Sequence, residues 1–408
     1  MNTTTQHKTN YKNSPLGLIP EDWEVKKIGK ITKTTAGGTP STHKLEYWNG
    51  DIKWMSSGDL NLKKIYDVEG RITAIGLKNS STKIIPSKCI LIGLAGQGKT
   101  RGTVAMNMVE LCTNQSVAAI LPSKEFYEDY LFHNLDYRYY ELRQLSTGDG
   151  GRGGLNLNII NSIPVPIPPL PEQTAIANCL STWDKAIAAQ TQLIAQKELS
   201  KKALMQQLLS GKKRLKGFSD KWHLKSLEEI ATFRNGKAHE NGIDEDGAYK
   251  VVNSKFVSTN GTVFKSSNNN LCPLFVNEIA MVMSDIPNGK ALAKCFYVDE
   301  NNKYTLNQRI CSIIANKVTN SKFLFYVLNR NVHYLSFDNG VGQTNLKKEE
   351  VLECPLLMPD FEEQTAIANV LQCADDELQL LKKKLEQLKE QKKGLMQVLL
   401  TGKKRLRY

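Results

Sequence analysis

Along residues 367–399, apolar side chains recur in alternating steps of four and three: Ile367, Leu371, Ala374, Leu378, Leu381, Leu385, Leu388, Leu395 and Leu399, with Lys392 as the one polar intruder. That spacing predicts a long helix carrying one apolar stripe, the seam of a coiled coil. A weaker stripe runs through Ile176, Leu180, Trp183, Ile187, Gln190, Ile194, Lys197, Lys201, Leu204 and Leu208. The two stripes belong to a repeat. Residues 172-EQTAIAN-178 recur unchanged as 363-EQTAIAN-369, and 204-LMQQLLSGKKRL-215 returns as 395-LMQVLLTGKKRL-406. Both matches are displaced equally, so the intervening length is the same in each copy. A continuous helix requires this, because one inserted residue would rotate everything beyond it by about 100°.

The expected helices span residues 172–210 and 363–401. Pro171 and Glu172 suit a first turn, and Asp360 with Glu363 reads as a capping box. Gly211 and Gly402 suit left-handed C-caps. The GKKRL clusters place positive charge where helix carbonyls are unsatisfied, so they read as helix-end features rather than nucleic-acid contacts.

The repetition continues outside the helices. Trp23 in 19-IPEDWEVKKIGKI-31 answers Trp222 in 218-FSDKWHLKSLEEI-230, and 113-TNQS-116 answers 306-LNQR-309. An amphipathic helix over 127–145 answers one over 321–335. Polar turns then lead to 155-LNL-157 and 344-TNL-346. Each unit is therefore a mixed α/β globule, a proline-punctuated linker (163-IPVPIPPLP-171 in copy one) and a long helix. The expected domains are 1–165 and 213–358 as globules, with 166–212 and 359–408 as helical segments. A helix of this length spans about 57 Å, whereas a globule of the second one's size has a radius of gyration of about 14 Å. Short connections at both ends of that globule thus require the helices to run antiparallel, giving pseudo-two-fold symmetry.

Composition narrows the function classes. The 408 residues carry a net charge of +13 at a pI near 9.2, which points to a polyanionic partner such as nucleic acid. The eight cysteines are scattered singly, with no C-x-x-C pair, which argues against a zinc site and against a secreted disulfide framework. The N-terminal segment lacks the apolar run of a signal peptide and no stretch is long and apolar enough to span a membrane, so a cytoplasmic setting is expected. No metal site is expected.

One stretch suggests a different chemistry. Residues 93-GLAGQGKT-100 fit the phosphate-loop pattern G-x-x-x-x-G-K-[ST], with Gly93, Gly98, Lys99 and Thr100 at the required spacing. Such a loop needs a strand before it and a helix after it. The next stretch, 101-RGTVAMNMVELCTNQSVAAILP-122, reads as strands, and copy two lacks the motif. A Gly-rich basic hairpin tip is the favoured reading, with a nucleotide-binding protein using Gly93–Thr100 as the alternative.

Candidate DNA contacts are basic or amide residues beside expected turns: Gln97, Lys99, Arg101 and Arg152 in copy one, and Arg234, Lys237, Lys290 and Gln343 in copy two. Arginine and glutamine can read guanine and adenine edges by paired hydrogen bonds. The aromatic run from Tyr127 to Tyr140 has helical spacing, which favours core packing over base stacking. Catalytic motifs for methyl transfer, hydrolysis or metalloproteolysis are absent from the sequence.

The order of globule, P-x-P-P-L-P-E-Q-T-A-I-A helix, second globule and second E-Q-T-A-I-A helix resembles the specificity (S) subunit of Type I restriction–modification enzymes. The early I-P-E-D-W segment and the AGQGKTRG turn are similar to that family as well. The resemblance implies a non-catalytic subunit with two target-recognition domains, each binding one half of a bipartite, asymmetric DNA site. It implies two spacer helices that set the gap and dock two methyltransferase (M) subunits, with restriction/translocase (R) subunits joining them. It also implies no cofactor in this chain, AdoMet serving the M subunits and ATP with Mg²⁺ the R subunits. The polar run Gln190, Lys197 and Lys201 departs from a uniformly apolar helix seam.

Overall fold

The computed structural model describes residues 10–96, 100–145, 154–239, 242–286 and 289–406. The chain divides into two compact units, Met1–Thr191 with Lys383–Tyr408, and Gln192–Lys382. Both long helices are therefore shared between units.

In the first unit a five-stranded sheet has the order Thr34–Ala36, Val117–Ile120, Ile90–Gly93, Val104–Asn107, Lys64–Ile65. All neighbours are antiparallel except the last pair. The sheet is apolar on both faces because both are covered. Ile90, Ile92, Val104, Met106, Ala118 and Ile120 point into one core with helix Glu128–Tyr137, while Leu91, Ala105, Val117 and Ala119 point into another. This is why 88-KCILIGL-94 is a continuous hydrophobic run rather than an alternating one.

The second unit repeats the plan. Its four-stranded antiparallel sheet has the order Ala231–Asn235, Ile310–Ala315, Ile279–Val282, Cys295–Tyr297. Ile279, Met281, Cys311 and Ile313 face a core that includes helix Ser321–Leu328, and Ala280, Val282 and Ile310 face a second.

Three sequence expectations change. The amphipathic stretches are broken, into Glu128–Tyr137 and Tyr139–Gln144 in one unit and Ser321–Leu328 and Val332–Leu335 in the other. Arg330, with φ of 60°, lies in the second break. The proline-rich linker is not a free connection: Pro164–Ile167 pairs antiparallel with Glu24–Lys27, and Pro355–Met358 pairs likewise with His223–Ser226. Proline tolerates these two-stranded pairs because each is all edge. The long helices are Leu170–Leu208 and Phe361–Leu399, starting two residues earlier than the repeated motif suggests.

Within each unit the two helices run antiparallel. In the first, Ile176 and Leu180 share a core with Met396 and Leu399, and Lys392 Nζ lies 2.5 Å from Asp184 Oδ1. In the second, Leu208 shares a core with Ile367 and Leu371, with Lys197 on Glu377 at 2.6 Å and Lys201 paired to Asp375. Leu378 is buried; Trp183, Ile187, Leu204, Leu381, Leu385, Leu388 and Leu395 are half-buried, consistent with a stripe on a two-helix spacer. The lysines that interrupt the seam are thus charge-paired across it, which lets a polar residue sit at a core position and favours one register. Both C-caps hold: Gly211 and Gly402 have φ of 68° and 71°. The capping box is only half formed. Asp360 accepts from the Glu363 N–H at 2.7 Å, while the Glu363 carboxylate turns to Trp222 and Arg214 instead.

Candidate nucleic-acid interface

In the second unit all four strands of the main sheet reach one end together. There Asn235 continues to Gly236 and Lys237, Val282 continues to Ser284 and Asp285, Ile310 is preceded by 307-NQR-309, and Cys295 by the turn containing Lys290. Backbone bonds lace these loops: Gln308 N–H donates to Lys237 O (3.0 Å), Met283 N–H to Arg309 O (3.0 Å) and Gly236 N–H to Ile310 O (3.0 Å). Glycine is required at 236, since a Cβ there would lie 2.0 Å from Asn307 O. Buried His239 fixes the Lys237 carbonyl at 2.7 Å and the Thr305 hydroxyl at 2.8 Å. Gln343 reaches the same end, its amide donating to Ser284 Oγ at 2.7 Å.

The first unit builds the same end differently. Ala36 continues to Gly37, Val117 is preceded by Asn114, Gln115 and Ser116, Gly93 continues to Leu94, and Val104 is preceded by Thr103. Gly37 matches Gly236 in role, a Cβ there meeting Thr113 O at 1.9 Å. Thr39 and exposed Gln115 are hydrogen-bonded side chain to side chain. Leu155 N–H donates to Leu94 O at 2.9 Å, which places Leu155 at this end as well.

The phosphate-loop reading fails at the element after the motif. Ile90–Gly93 leads through Thr100 into Val104–Asn107, which pairs antiparallel with it, so a strand stands where a helix N-terminus would be needed. Asp285, at a strand end where a metal-binding aspartate could stand, spends its carboxylate on the N–H groups of Ile286, Ala291 and Leu292. Among the described residues, no His, Cys, Asp or Glu cluster suits a metal ion, and no helix is long and apolar enough to cross a membrane.

The candidate contacts fare unequally. Gln97, Lys99 and Arg152 lie outside the described residues. Lys237, Lys290 and Gln343 are exposed at the sheet end. Arg101 is not presented as a tip residue: it is only 9% exposed, because the chain has already turned back towards Val104. Arg234 sits within its strand and holds buried Glu278 at 2.6 Å, an oxygen that also accepts from Ser312 Oγ at 2.6 Å. Its charge is internally neutralised. The aromatic run is largely core, with Tyr130 and Phe132 buried and Tyr140 at the surface.

Sequence reasoning missed a second recurring site, where each spacer helix begins. Glu172, with no exposed surface, accepts from Trp23 Nε1 at 3.0 Å and from the Arg405 guanidinium at 2.5 and 2.6 Å. Glu363 does the same with Trp222 at 2.9 Å and Arg214 at 2.6 Å. Gln173 and Gln364 then accept the backbone N–H of Tyr127 and Asn320, both at 2.8 Å, docking the globule's helix onto the spacer. The shared Glu-Gln dipeptide, the paired tryptophans and the paired arginines are all visible as repeats. Their meeting is not, because the partners are far apart in sequence.

Two modules of one design, each presenting amide side chains at a sheet end, with exposed Lys237 and Lys290 beside them in the second, and each anchored to a paired-helix spacer, define a duplicated architecture. A family model described as the Type I restriction modification DNA specificity domain matches residues 20–198 and 219–390, and the chain belongs to that family. The MjaVIII specificity subunit of Methanocaldococcus jannaschii is 24% identical over 98% of this chain and 96% of that protein. The MjaIX specificity subunit of the same organism is 34% identical, over 44% of this chain and 42% of its own length, so the chain spans less than half of that relative. The S subunit structure from M. genitalium shares the fold at a TM-score of 0.59 and 16% identity, covering 97% of both chains. A chain from a structure addressing complex assembly and conformational transition of the type I R-M system does so at 0.61 and 15%, covering 94% of this chain and 99% of that one. The relative matched over nearly its whole length is thus itself a specificity subunit of a Type I restriction enzyme.

Proposed function

We propose that this chain gives a Type I restriction–modification complex its DNA sequence specificity, each module binding one half of a bipartite, asymmetric site. The observation that carries this reading is a contrast between the repeats. The spacer motifs are nearly identical, whereas residues at matching places on the two sheet ends differ, as in 113-TNQS-116 against 306-LNQR-309. Two unlike readers on like supports suit two unlike half-sites. The net charge of +13 favours a polyanion. The spacer helices set the gap and offer the docking surface for two methyltransferase subunits, with translocase subunits joining them. No cofactor is assigned to this chain; AdoMet, ATP and Mg²⁺ belong with the partner subunits.

The test is footprinting with the complex that co-purifies with this chain, at rising salt. The expected result is two protected segments separated by a fixed gap, with affinity falling steeply as salt increases. One uninterrupted footprint, or equal affinity for every duplex, overturns the reading.

A further inference from the structure

We propose that Arg309, together with Gln308, reads base edges for the second module, and that Lys237 beside them holds the DNA backbone. This rests on the DNA-specificity reading and adds the residues through which it acts.

Three observations converge on Arg309. Its backbone is left-handed at φ of 67°, a conformation that costs a non-glycine side chain free energy of order 1 kcal/mol unless its surroundings fix it. Those surroundings are rigid: Asn307 N–H donates to Val252 O (3.1 Å), Gln308 N–H to Lys237 O, and Arg309 O accepts from Met283, so three separate segments clamp one turn. The side chains at 308 and 309 are nevertheless exposed. A turn held this firmly for two solvent-facing side chains is a preorganised presentation, which lowers the ordering cost of binding.

The charges point the same way. Among the described residues, Arg309, Lys237 and Lys290 take part in no ion pair, whereas Arg234 on the adjoining strand is neutralised by Glu278. An exposed arginine beside a glutamine supplies the two side chains that bond two edges at once, guanine O6 and N7 for the former and adenine N6 and N7 for the latter. Lysine brings a point charge suited to phosphate. In the first module the matching turn carries Gln115 and Ser116. The glutamine is shared and the arginine is replaced, so the two modules differ at the very position assigned to reading.

The experiment compares sequences selected from a random duplex pool by the co-purified complex carrying the wild-type chain, Arg309→Gly or Lys237→Ala. Arg309→Gly deletes the side chain while suiting the left-handed backbone, so its unfolding temperature should not fall. The expected result for Arg309→Gly is a roughly ten- to hundredfold loss of preference at one or two positions of one half-site, with the other half-site intact. Lys237→Ala should weaken binding across all sequences and leave the preferences unchanged. Unaltered preferences in Arg309→Gly, or equal losses in both half-sites, overturn the assignment. A wild-type complex selecting no two-part sequence instead sinks the underlying functional reading, which separates the two failures.

Discussion

The guanidinium of Arg405 grips the carboxylate of Glu172, joining the end of the second spacer helix to the start of the first. The same guanidinium holds Asp22 at 2.8 and 2.9 Å, one residue before the tryptophan that also donates to Glu172. Asp22 is lowered in pKa by its hydrogen bond to Arg405. Glu172 is sealed from solvent, so removing the arginine strands a buried charge with the indole as its remaining side-chain donor. Arg405→Ala should therefore destabilise the first unit by about 1.5–3 kcal/mol, measured as a fall in denaturation midpoint. Glu172→Gln combined with Arg405→Ala should recover part of that loss, since the charge left unpaired is then only that of half-exposed Asp22 and no longer a buried one. A double variant no more stable than Arg405→Ala would refute the account.

Lys392 and Lys201 occupy matching positions in the two repeats, and their partners Asp184 and Asp375 match as well. Each interrupts an apolar seam with one cross-helix ion pair, a device that specifies register at some cost in stability. Exchanging the charges, Lys392→Asp with Asp184→Lys, should restore most of what either single change loses. The coupling should be modest, about 1 kcal/mol or less, because Asp184 is 43% exposed. A thermal-denaturation double-mutant cycle with zero coupling would remove the register role.

How much of the molecule is legible in the sequence depends on the range of the interactions. The helices are legible because their periodicity and caps are local, and the repeat makes their equal length certain. Their lysine intruders are not explained locally, since Asp184 and Asp375 lie on the opposite helix of the pair. The Pro-rich linkers mislead because proline argues against strands, yet Pro164 and Pro166 sit in a two-stranded ladder where missing donors are tolerated. At the sheet ends, glycine and basic residues mark the loops correctly. Arg234 stands near Gly236 in sequence, as a loop contact would, but is spent on buried Glu278, while the Asn-Gln turns serve in the sequence only to align the repeats. Nothing local signals that Arg309 is left-handed and clamped; that depends on Val252, Lys237 and Met283.

His133, fully buried on the helix Glu128–Tyr137, faces Ser181 at 3.3 Å and Asp184 at 3.9 Å, with Lys392 and Lys64 nearby. Burial first, then the two lysines, depress its pKa from 6.5 to about 3. The folded chain thus keeps the imidazole neutral while the unfolded chain protonates it below about 6.5. Stability from this group is fully present above that pH and falls on acidification by about 1.4 kcal/mol per pH unit until the folded form titrates near 3. His133→Gln should flatten the stability profile between pH 6 and about 4 relative to wild type. Parallel profiles in that window would show that His133 does not control it.

If the helices set the recognition gap, length and phase should be separable by insertion. Seven residues added near the middle of both helices extend each by about 10.5 Å and keep the apolar stripe in phase. The recognition gap should then grow by about three base pairs at 3.4 Å each, with both half-site sequences unchanged. The same insertion in one helix alone should destabilise the chain, because either the Lys392–Asp184 or the Lys201–Asp375 pairing must then break. Genome-wide methylation mapping reads the gap, and denaturation reads the register. A gap that stays constant after the paired insertion would show that something other than the helix pair measures the site.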